Sequence, residues 1–406
     1  MHKIERLLQT LAPKGVEFRK LGEVINILKG KQLNKELLLD YGEYPVMNGG
    51  IHASGYWNEY NTDYPKIIIS QGGASAGYVN YMTSKFWAGA HCYAIELNSE
   101  KLNYKFLYYF LKNSQTILMK SQFGAGIPAL NKADIETLTI PIPPLEIQQE
   151  IVKILDAFTE LNTELNTELK ARKKQYEYYQ NMLLDFNGIH QNHKDAKMSA
   201  KTYPKPLQTL LQTLAPKGVE FRKLGEVCEI LDNRRIPIAK NKRNPGIYPY
   251  YGANGIQDYI DSYIFDGDFV LVGEDGSVIN KDNTPVVNWA SGKIWVNNHA
   301  HVLQTKNELK LKFLYFYLQT IDVSYCVAGT PPKINQENLK KITIPIPPLE
   351  VQQEIVKILD QFSLLTTDLL AGIPAEIKAR KKQYEYYREK LLSFKPLTPH
   401  KEVKKC

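Results

Sequence analysis

The residues most able to do chemistry sit in short glycine-rich segments. Gly273-Glu274-Asp275-Gly276 follows the apolar run Phe269–Val272, and carboxylates at a strand end could hold a metal ion and support hydrolysis. The aligned segment earlier in the chain, Ser70-Gln71-Gly72-Gly73-Ala74, has no carboxylate. A recognition loop whose contact residues have changed accounts for both copies. Gln71 would offer an amide to adenine, and Glu274 or Asp275 a carboxylate accepting from cytosine. Catalysis, a structural turn and base reading all stay open for this loop. His91 and His299 hold matching positions after Trp87 and Trp295. A core histidine at a strand start is the first expectation for each, and a contact to a DNA phosphate or base is the second. Asn48 and Asn254, in Asn-Gly turns, and Ser75 and Ser277, beside the glycine-rich segments, complete the polar candidates. Phosphate contacts have Lys29 and Lys31 around Gly30, and Arg234, Arg235, Lys240, Lys242 and Arg243 in the second half. A handful of such contacts gives salt-sensitive affinity for DNA, although each could equally be solvated surface.

Several classes are excluded by what is missing. The sequence has no GxxxxGK[ST] phosphate loop, no GxGxxG opening a helix and no HExxH or clustered His/Cys set. No cofactor and no metal are therefore expected on this chain. Its 406 residues allow two or three domains, and the net charge of +8 favours an anionic partner without proving one. Four dispersed cysteines without a CxxC pair fit a reduced, cytoplasmic setting better than a disulfide framework. No apolar run approaches the roughly 20 residues of a membrane span.

Those candidate loops are positioned by an internal duplication. Leu7–Val24 is identical to Leu210–Val227, and Thr139–Asp156 returns as Thr343–Asp360 with Ile147 replaced by Val351. Between these landmarks the halves align but diverge: KFWAGAH (85–91) faces KIWVNNH (293–299), and KFLYYFL (105–111) faces KFLYFYL (312–318). Each half reads as mixed α/β. Lys66–Ser70, Phe269–Val272, Cys92–Leu97 and Ala300–Gln304 are expected strands, and Leu102–Lys112 and Leu309–Gln319 expected helices.

The near-identical stretches open long helices. Prolines 141, 143 and 144 are acceptable only at a helix start, which places that start near Leu145. Ile151, Ile154, Phe158, Leu161 and Leu165, then Arg172, Tyr176, Tyr179 and Leu183, follow helical spacing. Continuous helix over 145–186 would span roughly 60 Å. TELNTELNTEL (159–169) repeats every four residues, and removing one unit would shorten the helix by about 6 Å and turn one end by about 40°. In the second spacer, Gly372 and Pro374 should interrupt the helix. Apolar stripes of this length need covering, so the two spacers are expected to pair, antiparallel and related by a pseudo-twofold. Ile151, Phe158, Leu161, Leu165, Tyr176, Tyr179, Ile355, Phe362, Tyr384 and Tyr387 are the residues expected to pair the helices or to dock a partner.

The tandem order, the IPIPPLExQQEIVKILD stretches, the KARKKQYEYY continuations and the TELN repeats resemble the specificity subunit of type I restriction-modification enzymes over nearly the whole chain. The resemblance implies a mixed α+β fold with two target recognition domains (1–144 and 207–348). Two antiparallel coiled-coil spacers (145–186 and 349–394), a linker (187–206) and a tail (395–406) would complete it. Each domain would read half of a gapped double-stranded DNA target, with the spacers setting the gap. Implied partners are two modification (methyltransferase) subunits using S-adenosylmethionine and restriction subunits using ATP and Mg. The chain itself would be non-catalytic. A stand-alone regulator with a coiled-coil spacer and a nuclease using Glu274 and Asp275 are the competing expectations.

Overall fold

The computed structural model describes residues 2–124, 128–186, 203–276, 278–367 and 371–397. Most of the expected linker and tail, and Ser277, lie outside the described residues. The chain divides into two compact units, one of Met1–Asn166 with Ile377–Cys406 and one of Thr167–Glu376. The division cuts both spacers. Each unit therefore holds one globular domain, the first part of one spacer and the last part of the other.

In the first unit, Ile25–Lys29, Cys92–Leu97, Lys66–Ser70 and Val79–Met82 form an antiparallel sheet in that order. The run KIIIS makes a central strand because it is apolar on both faces. Ile67 and Ile69 join the core around Ile95 and Phe106, while Ile68 joins Met47, Phe86 and Ala94 on the other side, the alternation a strand imposes. A three-stranded sheet carries Gly55–Trp57, Tyr44–Met47 and Trp87–Ala88. The helix Tyr104–Asn113 is capped by Asn103, whose side chain accepts from the N–H groups of Lys105 and Phe106 at 2.9 and 3.0 Å. It buries Phe106, Leu107, Tyr109 and Leu111.

The second unit fuses the corresponding strands into one six-stranded sheet. Its order is Cys228–Ile230, Ala300–Thr305, Phe265–Gly273, Val287–Val296, Pro245–Gly252, Gly255–Ile260. Val287–Val296 runs unbroken where the first unit has two short strands in separate sheets. Its Gly292 pairs with Gly267 of Phe265–Gly273, the two having φ of +77° and +137°, a backbone that side chains rarely tolerate.

The first spacer is one helix, Leu145–Leu184, of 40 residues, beginning at the expected residue. The second is two helices, Leu349–Thr367 and Ile373–Leu391. Gly372 sits at the interruption, where an added Cβ would lie 2.4 Å from the Leu364 carbonyl oxygen. Its own carbonyl accepts from Ala375 and Glu376 to start the new helix.

Within the first unit, Phe158 stacks on Tyr387 (centroids 5.6 Å, 27°) and tilts against Tyr384 at 6.4 Å. Within the second, Phe362 stacks on Tyr179 (5.1 Å, 25°). Ile151 and Ile355 are core residues of their own units, and Tyr176 packs on the second unit's core. Leu161 and Leu165 are half-buried. Among the described residues, no helix is long and apolar enough to cross a membrane.

Candidate nucleic-acid interface

The spacer glutamines fix each domain to its helix. Gln148 is fully buried; its amide donates to the carbonyls of Lys101 (2.8 Å) and Pro143 (2.6 Å) and accepts from Asn103 N–H (2.7 Å). Gln352 repeats this with Glu308 (2.9 Å), Pro347 (2.7 Å) and Lys310 (2.7 Å). Neither residue was singled out from the sequence. The signal lay in the repeat, since a polar residue kept identical on an otherwise apolar helix face has to be satisfied inside.

At the far ends of the central strands, the glycine-rich loops have the same backbone in both units. Gln71 N–H donates to His91 O (2.9 Å) and its carbonyl accepts from Leu130 (2.8 Å). Glu274 makes the matching bonds with His299 and Ile334, both 2.9 Å. Gly73 and Gly276 then turn with φ of +78° and +81°. The alignment of these loops is thus a structural equivalence.

Their side chains are less free than expected. Glu274 accepts from Arg235 Nη1 at 2.6 Å and pairs with Lys333 at 3.1 Å. Arg235 also reaches Asp232 at 3.4 Å and the Ala300 carbonyl at 2.8 Å. His301, fully buried, contacts Asp232 through Nδ1 (2.6 Å) and the Ile334 carbonyl through Nε2 (2.8 Å). Burial pushes the Asp232 carboxyl up, but His301, Arg235 and the Val302 N–H outweigh it and hold it below the usual carboxylate range. Asp232, Glu274 and His301 bring ligand-type atoms within 4.8 Å of one another. In this arrangement the Arg235 guanidinium supplies the countercharge that a cation would bring. Glu274 and Arg235, both candidate DNA contacts, are tied to each other, because a charge this buried must be paired. In the first unit the buried Oε1 of Gln71 has no partner among the described residues, and the Tyr93 hydroxyl donates to the Leu130 carbonyl at 3.3 Å.

The histidines correct the first expectation in the other direction. His91 and His299 are exposed, while the residues that follow them, Cys92 and Ala300, are buried. Each stands one residue before its strand, on the rim. The main-chain N–H of His91 donates to Asn48 Oδ1 at 3.1 Å, and that of His299 to Asn297 Oδ1 at 2.8 Å. Asn48 thus has a structural task. Asp275 contacts His299 Nδ1. Ser75 donates to the Gly49 carbonyl at 2.7 Å, and Asn254 is exposed before Gly255, whose φ is +99°.

Among the basic candidates, Lys29, Lys31, Arg234, Lys240 and Lys242 are exposed. Trp87 and Trp295 pin this edge by donating to the carbonyls of Lys31 (3.0 Å) and Ile236 (2.6 Å). Arg234 lies over the Phe265 ring at 4.8 Å. Arg243 is held inward, over Tyr250 at 4.1 Å and toward Asp258 at 3.4 Å.

The profile of the type I restriction modification DNA specificity domain matches residues 13–173 and again 216–379. A putative type I restriction enzyme specificity subunit of Haemophilus influenzae is 46% identical over 189 residues, 45% of this chain and 49% of that protein. The chain thus spans about half of that relative. A putative type I specificity subunit of Mycoplasma pneumoniae is 33% identical over 264 residues, 63% of this chain and 96% of that protein. The crystal structure of a type I restriction-modification S subunit from M. genitalium aligns with a TM-score of 0.63 at 22% identity, covering 93% of this chain and 96% of that one, a likeness of fold. With both halves matched, the chain belongs to the type I restriction-modification DNA specificity family.

Proposed function

We propose that this chain selects the DNA sequence for a type I restriction-modification complex, each domain reading one half of a two-part target. The observation that carries the reading is that two equivalent rims, each with an exposed histidine and exposed lysines, sit on spacers pinned by the same buried glutamine. Exposed cations supply sequence-independent affinity, and the divergent rim residues supply the differences between half-sites.

The spacers act in this reading as an antiparallel, pseudo-twofold coiled coil that sets the gap. The equivalent stacks of Phe158 on Tyr387 and Phe362 on Tyr179 support it. Modification subunits carrying S-adenosylmethionine would dock on the complex and restriction subunits would bring ATP and Mg, with no catalytic group or cofactor on this chain. The family match does not favour a stand-alone regulator. The engagement of Glu274 by Arg235 and Lys333 removes the free acidic pair that a nuclease reading needs.

Footprinting of the complete complex with its modification subunits tests the proposal. Two short protected segments separated by an unprotected gap are expected. One continuous footprint, or none, would overturn it. Deleting one TELN unit should alter the gap and spare both half-sites.

A further inference from the structure

The rim histidines are held by a device that survives a complete exchange of the residues that build it. In the first unit the oxygen accepting from the histidine N–H belongs to Asn48, and an added Cβ on Gly89 would lie 2.5 Å from that oxygen. In the second unit the oxygen belongs to Asn297, and the position matching Asn48 is Gly252. Asn297 corresponds to Gly89, since Gly89 N–H bonds the Met47 carbonyl at 2.9 Å and Asn297 N–H the paired Tyr251 carbonyl at 3.1 Å. Two different routes thus hold the same main-chain N–H and set an exposed histidine at one place. Packing alone would not require this of a solvent-facing side chain.

The rings differ in one neighbour. His299 Nδ1 meets the Asp275 carboxylate, whereas the matching residue beside His91 is Gly72, whose added Cβ would stand 3.6 Å from His91 Nδ1. A carboxylate only accepts, so Asp275 requires the proton on Nδ1. In the neutral ring this leaves Nε2 as the acceptor of a side chain that is 47% exposed. His91, without that carboxylate, is free to present either a donor or an acceptor.

We propose that His91 and His299 each contact a base edge in their own half-site, and that position 72/275 sets which hydrogen-bonding pattern the ring reads. His299, locked by Asp275, takes an amino group of adenine or cytosine on the contacted strand. This rests on the DNA-reading role proposed above.

The test is selection of methylated sites from a randomised DNA library by the full-length chain assembled with its modification subunits. His299→Ala should relax preference at one base position in one half-site by roughly tenfold or more, leaving the other half-site and the gap unchanged. Gly72→Asp, at a position whose backbone tolerates a side chain, should shift preference at one position of the opposite half-site without loss of assembly. Asp275→Gly should relax the same position as His299→Ala. The inference is overturned if the wild type selects a two-part site and these variants leave it unchanged. It is also overturned if His299→Ala weakens all sequences uniformly, the behaviour of a phosphate contact. If His299→Ala fails to assemble, Gly72→Asp and Asp275→Gly decide by the same readout. A wild-type complex that selects no two-part site defeats the DNA-reading role itself, and this inference with it.

Discussion

The two units solve one problem in two ways at their rims and in one way at their spacers. At the rim, Asn48 with Gly89 in one unit and Asn297 with Gly252 in the other hold the same histidine N–H. Beneath it, Gln71 stands where the other unit has Glu274 in a charged network with Arg235, Asp232 and His301. At the spacers, Gln148 and Gln352 make the same three bonds. Where a surface serves one assembly, the residues themselves are kept. Where, on the proposed reading, it serves two different half-sites, only the backbone geometry is kept, and the side chains beneath it differ.

The largest test of that contrast is Arg235→Ala. It leaves Asp232 and Glu274 with too little countercharge in a buried site, a loss of about 3–5 kcal/mol. Hydrogen exchange followed by unit should show destabilisation of Thr167–Glu376 and little change in the other unit; equal loss in both would break the contrast. Gln148→Ala and Gln352→Ala should each cost about 2–3 kcal/mol in their own unit, because each strands buried backbone groups, and the two melts should match. A large inequality would show that the spacers are not held alike.

The exchange of asparagines is sharper still. Asn48→Ala should cost about 1–2 kcal/mol, and the double change Asn48→Gly with Gly89→Asn should recover most of it by copying the other unit's solution. Failure to recover would mean that the two rims are less alike than their hydrogen bonds indicate.

The smallest effects are in pH. Asp232 is held below the usual carboxylate range, so its contribution is present above that range and is lost as pH falls through and below it; Asp232→Asn should flatten this acid limb in the second unit alone. Lys112, in the first unit, is lowered to about 8 by burial and by Arg388. The folded state then binds fewer protons than the unfolded chain between about pH 8 and the ordinary lysine value, so stability rises with pH across that window. Lys112→Met should abolish the rise, read from melts at a series of pH values.

Much of the fold was legible in sequence because its signals are local. KIIIS at Lys66–Ser70 is a strand in the structure as expected, the proline-marked start at Leu145 holds, and the Gly372 interruption holds. Each follows from backbone restrictions written in a few neighbouring residues. The site was legible only as a region. The loops were found, but the pairing of Glu274 with Arg235 was not, and the histidines expected first as core residues are exposed. Whether a side chain is free depends on partners distant in sequence, such as Asp232 and Lys333 for that network.

The sequence by itself determined the duplication, the long spacer helices and the family, since periodicity, proline and glycine act through nearest neighbours. Tertiary structure alone decided which polar groups face outward. Arg235 and Glu274 are consumed because folding brings opposite charges together in a poorly solvated place, and His91 and His299 are left exposed because each precedes its strand by one residue at a rim.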